Sequence, residues 1–316
     1  MAKDTIVFHS ALPLRRRKQR LYRSVRHHAA IYLFLLPGLA FFLVFTTYPI
    51  LYSFVMSFTN WPIMGPAQFV GVQNYSQVLN DPIVRTAFLN AILYMVVSVP
   101  LQLGLGLLVA IGLDRPMPGR TTLRLIYYLP VITSWVVVTY IFQYLFNTDY
   151  GLINWLLMSI NVIQSPISWL ADPNKAIVVA AILGSWKGIG WAMMIFLAAL
   201  QGVPVELYEA AAIDGAGKWH SFWSITLPSI RASMFFVTVL LVMGAFQVFI
   251  QIYILTAGGP ADQTQVPLVW MYQQAFANLQ FGYASALSWL IAVLIVLFTM
   301  VQFWIFRPRS LNVREG

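Results

Sequence analysis

Six long stretches of this chain are almost free of charge, and that limits what it can fold into more than any other feature. Residues 31–58, 87–113, 125–146, 176–201, 234–255 and 284–306 contain one charged side chain among them, Lys187. Each reaches the roughly 20 apolar residues that a helix needs to cross a bilayer core about 30 Å thick. Only 9% of the 316 residues are charged, against roughly a quarter in a soluble domain. The expected fold is all-α: a polytopic membrane protein with six transmembrane helices. Pro37, Pro49, Pro100, Gly104, Gly106, Gly188, Gly190 and Gly244 fall inside these stretches, so kinks and close helix contacts are expected.

The net charge of +9 does not indicate nucleic acid, because the basic residues cluster at the ends of the apolar runs. All but Arg85, Lys175 and Lys187 fall in the first tail, the even-numbered connections or the last tail. By the positive-inside rule, both termini are then cytoplasmic. The expected organisation is a basic tail over 1–28, a transmembrane domain over 29–306 and a short tail over 307–316. The first apolar run is too long for the core of a signal peptide, so a retained first helix is expected. The outer connections hold turn residues at 60–66, 147–173 and 257–262. Within the second of these, Ile153, Trp155, Leu156, Leu157 and Ile160 are spaced for a short interfacial helix. That helix either packs on the bundle or meets a partner.

Segment 204–228 is the one cytoplasmic stretch with concentrated acidic residues. Pro204 suits a first helical turn, and Glu206 and Glu209 complement the positive end of a helix. Asp214-Gly215 signals a turn, and Lys218 to Ile225 can form a second short helix that Pro228 ends. Ala210, Ala211 and Ala212 keep the first helix thin enough for close approach, while Trp219, Phe222 and Trp223 offer apolar area. The segment either docks another protein or lies on the lipid surface.

Glu209-Ala-Ala-x-x-Asp214-Gly215-Ala216, followed by Ile225-x-Leu227-Pro228, resembles the loop motif of membrane subunits of binding-protein-dependent ATP-driven importers. Phe69-Val-Gly-Val-Gln-Asn-Tyr75, Leu145-Phe-Asn147 to Gly151-Leu-Ile-Asn154, and Thr256-Ala-Gly-Gly-Pro260 resemble the carbohydrate branch, which contains the maltose and glycerol-phosphate importers. The resemblance is to the larger maltose subunit in particular. It runs from the first span to the last; Ala232 departs from it where many relatives have proline. It implies the type I importer permease fold in a bacterial plasma membrane. It also implies a second, similar permease subunit, a dimer of ATP-binding subunits, an extracytoplasmic substrate-binding protein and a sugar substrate. In that family the loop docks in a cleft of the ATPase. The resemblance thus gives Glu209, Ala210, Ala211, Asp214, Gly215, Ala216, Leu227 and Pro228 a coupling role.

A charge inside a bilayer marks a functional site or an internal pair. Lys187 sits about eleven residues into its span, near mid-depth at roughly 1.5 Å per residue. It either binds substrate or holds a neighbouring carbonyl. Gly184, Lys187, Gly188 and Trp191 share a helical face, where the glycines either leave room for a sugar ring or pack against another helix. Counting from the loop landmarks, the resemblance puts the substrate path at these four residues and at Leu241, Gly244, Ala245 and Val248. Gln247 and Gln251, four apart, are further candidates, with interhelical hydrogen bonding as the alternative.

The chain has no P-loop: Gly217-Lys218 is followed by Trp219 and lacks the upstream glycine. ATP and its magnesium ion are therefore expected on a partner ATPase, with no cofactor on this chain. The four histidines have no metal spacing, and no catalytic set stands out. An ion-coupled secondary transporter is the competing class. It ordinarily needs intramembrane carboxylates, and none of the six stretches contains Asp or Glu.

Overall fold

A computed structural model of the chain describes residues 29–62 and 65–305. The expected tails over 1–28 and 307–316 lie outside the described residues. The chain divides into two compact units, with the boundary after Val55.

In the first unit, α1 (Ala29–Phe42) passes through a π-helical turn at Leu43–Thr47 into α2 (Tyr48–Met56). Its large apolar side chains, among them Leu33, Phe34, Leu39 and Phe45, are exposed. A helix apolar on every side suits lipid or a partner helix, not water.

The second unit is helical apart from one two-residue antiparallel pair, β1 (Thr59–Asn60) with β2 (Gln68–Phe69). Its helices are α3 (Gln73–Asn80), α4 (Pro82–Asp114), α5 (Arg120–Ile132), α6 (Trp135–Leu145), α7 (Leu152–Ser159) and α8 (Pro173–Gln201). There follow α9 (Val205–Ile213), α10 (Lys218–Ser221), α11 (Leu227–Ser229), α12 (Arg231–Phe246), α13 (Ile250–Leu255), α14 (Pro267–Phe276) and α15 (Phe281–Ile305). Among the described residues, five helical runs have the length and apolarity of a span, and the bent pair α5–α6 makes up to a sixth.

The long pair α4 and α8 forms the spine of this unit. Both start in the same way: Asp81 and Asp172 cap the free N–H groups of the first turn, each followed by a proline that has no N–H to satisfy. Small residues let the two backbones approach. Ala91, Ala110, Ala180, Ala181 and Ala192 are fully covered, and a Cβ on Gly106 would lie 2.8 Å from that of Ala192. Helix α12 packs on α4 and α15, α5 on α8, and α13 on α6. At one end, the Asp81 carboxylate also accepts from Trp270 Nε1 at 3.2 Å and from the Tyr283 hydroxyl, joining α4 to α14 and α15.

Three expectations change here. The third stretch is not one helix: α5 and α6 meet at 93° across Thr133-Ser134. Pro130 lies in the last turn of α5 and has no N–H, so the carbonyl one turn before it loses its helical donor, and the helix stops two residues on. The fifth stretch is interrupted at Gln247, Val248 and Phe249, whose φ of −139° and ψ of −68° take the chain out of the helical region. Finally, Pro228 does not end the loop helix. A π-helical turn at Phe222–Thr226, closed by Leu227 N–H donating to Phe222 O, widens the turn before the proline, and the helix runs on to Ser229.

The outer helix expected from Ile153 onward is α7. It hangs on buried Asn154, whose amide donates to the carbonyls of Thr148 and Ile167 and accepts from Trp169 Nε1 at 2.8 Å. Gly151 is required before it: a Cβ there would lie 2.2 Å from Asn147 O. The Thr256–Pro260 segment is likewise built on local geometry. Ala257 and Gly258 both have positive φ, and the Thr264 hydroxyl donates to Gly259 O at 2.6 Å and lies 2.8 Å from the Thr256 hydroxyl.

Candidate functional site

A cavity of about 330 Å³ opens between α4, α8 and α12. Eight of the residues singled out from the sequence line it: Gly184, Lys187, Gly188, Trp191, Leu241, Gly244, Ala245 and Gln251. Two do not. Val248 is buried in the packing around α13, and Gln247 is exposed. Four-residue spacing puts Gln247 beside Gln251 only on an unbroken helix, and the break at 247–249 separates them. The cavity also takes residues that sequence reasoning missed: Tyr94, Ser98 and Gln102 from α4, and Val131 and Trp135 from either side of the bend. Tyr94, Ser98 and Gln102 recur at four-residue intervals, and that polar stripe in an apolar helix is the signal that could have found them.

Lys187 is 4% exposed and holds the bend. Its Nζ donates to the carbonyls of Pro130 at 2.7 Å, Val131 at 3.0 Å and Thr133 at 2.6 Å. It also lies 4.9 Å from the centre of the Trp135 ring. An ammonium has three protons, and all three are used. Thr133 itself donates to the Pro130 carbonyl, but the carbonyls of Val131 and Thr133 have no other donor among the described residues, and a cation is favoured at that negative end. Of the two readings of Lys187, the carbonyl-holding one describes its contacts.

The glycines of α8 also have occupants. A Cβ on Gly184 would lie 2.1 Å from the Tyr94 hydroxyl, and one on Gly188 would lie 1.8 Å from Gln102 Oε1. At Gly190 it would meet the Tyr127 carbonyl at 2.1 Å, so here α5 and α8 touch backbone to backbone. The room for a sugar ring expected beside Gly184 and Gly188 is therefore filled by polar heads from α4. Open space lies instead at Gly244, where an added Cβ would have no atom within 4 Å.

Away from the cavity, α9, α10 and α11 form the helix-turn-helix expected at 204–228. Pro204 is the residue before the first helix and not part of its first turn. The first helix closes on Gly215 at φ +77°, with Ala216 N–H donating to Ala211 O at 2.8 Å. The Tyr208 hydroxyl is 3.0 Å from that of Thr226 and ties the two arms together. Outside this tie the surface is open. Ile213, Trp219 and Trp223 are 87%, 75% and 60% exposed, and Glu209 makes no ion pair or hydrogen bond among the described residues. Leu227 and Pro228 lie at the far end of the second arm.

An apolar helical bundle around a partly polar cavity, with an exposed helical loop at one end, defines a multi-pass membrane permease. Residues 102–309 match the model of the binding-protein-dependent transport system inner membrane component, and the chain belongs to that family. It is 34% identical over 284 residues to the lactose transport system permease protein LacF of Rhizobium radiobacter, covering 88% of this chain and 94% of that one. It is 35% identical over 280 residues to the trehalose/maltose transport system permease protein MalF of Thermococcus litoralis, covering 88% and 94%. The fold is also that of a chain in the crystal structure of a bacterial ABC transporter importing the acidic polysaccharide alginate. The TM-score is 0.80 at 22% identity, over 92% of this chain and 99% of the other.

Proposed function

We propose that this chain is the membrane-spanning permease subunit of an ATP-driven sugar importer, forming half of a translocation path and taking its motion from a separate ATPase. The observation that carries the coupling is the exposed helix-turn-helix with Glu209 unpaired on its surface. Its arms are tied to each other, and its second arm runs into α12, which lines the cavity. A shape held this firmly but left apolar and uncovered suits a protein partner. The relatives named for lactose and for trehalose and maltose support a sugar as cargo, and the family's description supports a substrate-binding protein as donor. The second permease subunit, the ATPase pair that uses ATP and magnesium, and cytoplasmic termini complete the proposal. Alternating access follows: closure of the ATPases moves the loops, and the loops move the helices around the cavity. An ion-coupled carrier finds no support, because no carboxylate lines the cavity.

The test is ATP hydrolysis by the reconstituted complex, stimulated by loaded binding protein and screened over disaccharides, polyols and phosphorylated glycerol. Glu209→Lys should abolish the stimulation while leaving the helices folded. Normal uptake by that variant would remove Glu209 from the coupling role.

A further inference from the structure

Tyr94, Ser98 and Gln102 occupy one face of α4, each less than a tenth exposed and each on the cavity. Their side-chain heads make one hydrogen bond to protein, Gln102 Nε2 donating to Ser98 O at 3.2 Å. Ser98 Oγ is shielded and unpartnered, and among the described residues neither the Tyr94 hydroxyl nor Gln102 Oε1 has a protein partner. The amide of Gln251, 7% exposed on the opposite wall, has none either. Buried polar groups are ordinarily paired, and each one left open costs about 1–3 kcal/mol. A cluster of them around one cavity is the arrangement of a surface waiting for a polar ligand.

The chemistry of that ligand follows from the groups. Tyr and Ser hydroxyls both donate and accept, as does a carboxamide, and each matches a sugar hydroxyl. Lys187, the one charged group in the wall, has its three protons committed to carbonyls, so the wall offers no free cation to a carboxylate. The side chains of Trp135 and Trp191 line the same cavity and supply apolar area for a pyranose ring.

We propose that Tyr94 and Gln102, admitted by the missing side chains of Gly184 and Gly188, are the groups through which this chain hydrogen-bonds an uncharged saccharide in its central cavity. The inference rests on the importer reading. It adds contacts from α4 to a path expected only along the fourth and fifth apolar stretches.

The experiment uses the complete complex in liposomes with saturating loaded binding protein. The probes are radiolabelled lactose, trehalose, maltose and digalacturonate, followed by monodeoxy analogues of whichever neutral sugar is carried. We expect a neutral disaccharide to be transported, and Tyr94→Phe and Gln102→Leu each to slow it about tenfold, the loss of one well-made hydrogen bond. The decisive readout is discrimination. The parent complex should carry one deoxy analogue about tenfold more slowly than the full sugar, and the matching variant should no longer distinguish the two. A merely structural residue would slow both sugars and leave their ratio unchanged. Tyr94→Phe removes a single oxygen and can carry the test alone where Gln102→Leu disturbs assembly. ATP-driven uptake with the parent's discrimination intact in both variants would overturn the inference and leave the importer standing, as would uptake of digalacturonate alone. Failure of all ATP-driven uptake would overturn both.

Discussion

Replacing Lys187 by methionine keeps most of the side-chain volume and removes the donor that holds the bend between α5 and α6. Pro130 O would survive the change, because Thr133 Oγ1 donates to it at 2.6 Å. The Val131 and Thr133 carbonyls, both in part-buried bonds, have no second partner among the described residues and would be left orphaned. At the lower part of the range of about 1–3 kcal/mol for each unsatisfied group, the gross loss is about 2–4 kcal/mol. Contact with the Trp135 ring adds on the order of 1 kcal/mol. Removing a buried ammonium returns part of this, because its desolvation cost disappears as well. We expect a net destabilisation of about 3 kcal/mol, roughly a hundredfold in the folding equilibrium. Thermal unfolding of the purified protein in detergent, followed by tryptophan fluorescence, measures it. A methionine variant as stable as the parent would show that the bend holds without the lysine, and the account of Lys187 given above would be wrong.

Gly190→Ala should destabilise the unit by about 1–3 kcal/mol, because the added methyl meets the Tyr127 backbone and not a side chain that can turn away. Gly244→Ala, the same chemical change in open space, should leave the melting temperature unmoved; similar losses at both sites would refute the geometric reading. Asp81→Ala removes a helix cap and the acceptor for Trp270 and Tyr283 together. We expect about 4–5 kcal/mol from the sum of the cap and the two charged hydrogen bonds, checked by thermal unfolding of the purified variant.

Much of the fold was legible because lipid imposes one rule along the whole chain: a span must be long and apolar, and its ends can be counted. What was not legible arises where that rule is satisfied by two different backbones. Residues 125–146 are uncharged throughout and mostly apolar, so hydropathy cannot tell one helix from two meeting at a right angle. The information lies in Pro130 and in a lysine 57 residues away. The same holds at 247–249, where Gln247 and Gln251 keep helical spacing in sequence and lose it in space. At the loop, Asp214-Gly215 announced its turn because positive φ favours glycine. Pro228 misled because a π turn absorbs it. In the cavity, α8 was found through its glycines, but their meaning depended on which side chains from α4 would enter them, and single-chain periodicity cannot say.

The interlock of α4 with α8 restricts how such a chain can change. A methyl group at position 184 would displace the head of Tyr94, and one at 188 the head of Gln102, and a shorter residue at 94 or 102 would make room for it. Ligand preference in this protein should therefore be rebuilt by compensated double exchanges, in which a new side chain grows from one helix as its opposite number retreats. A library varying α8 alone would mostly move these two heads out of place rather than give them new neighbours.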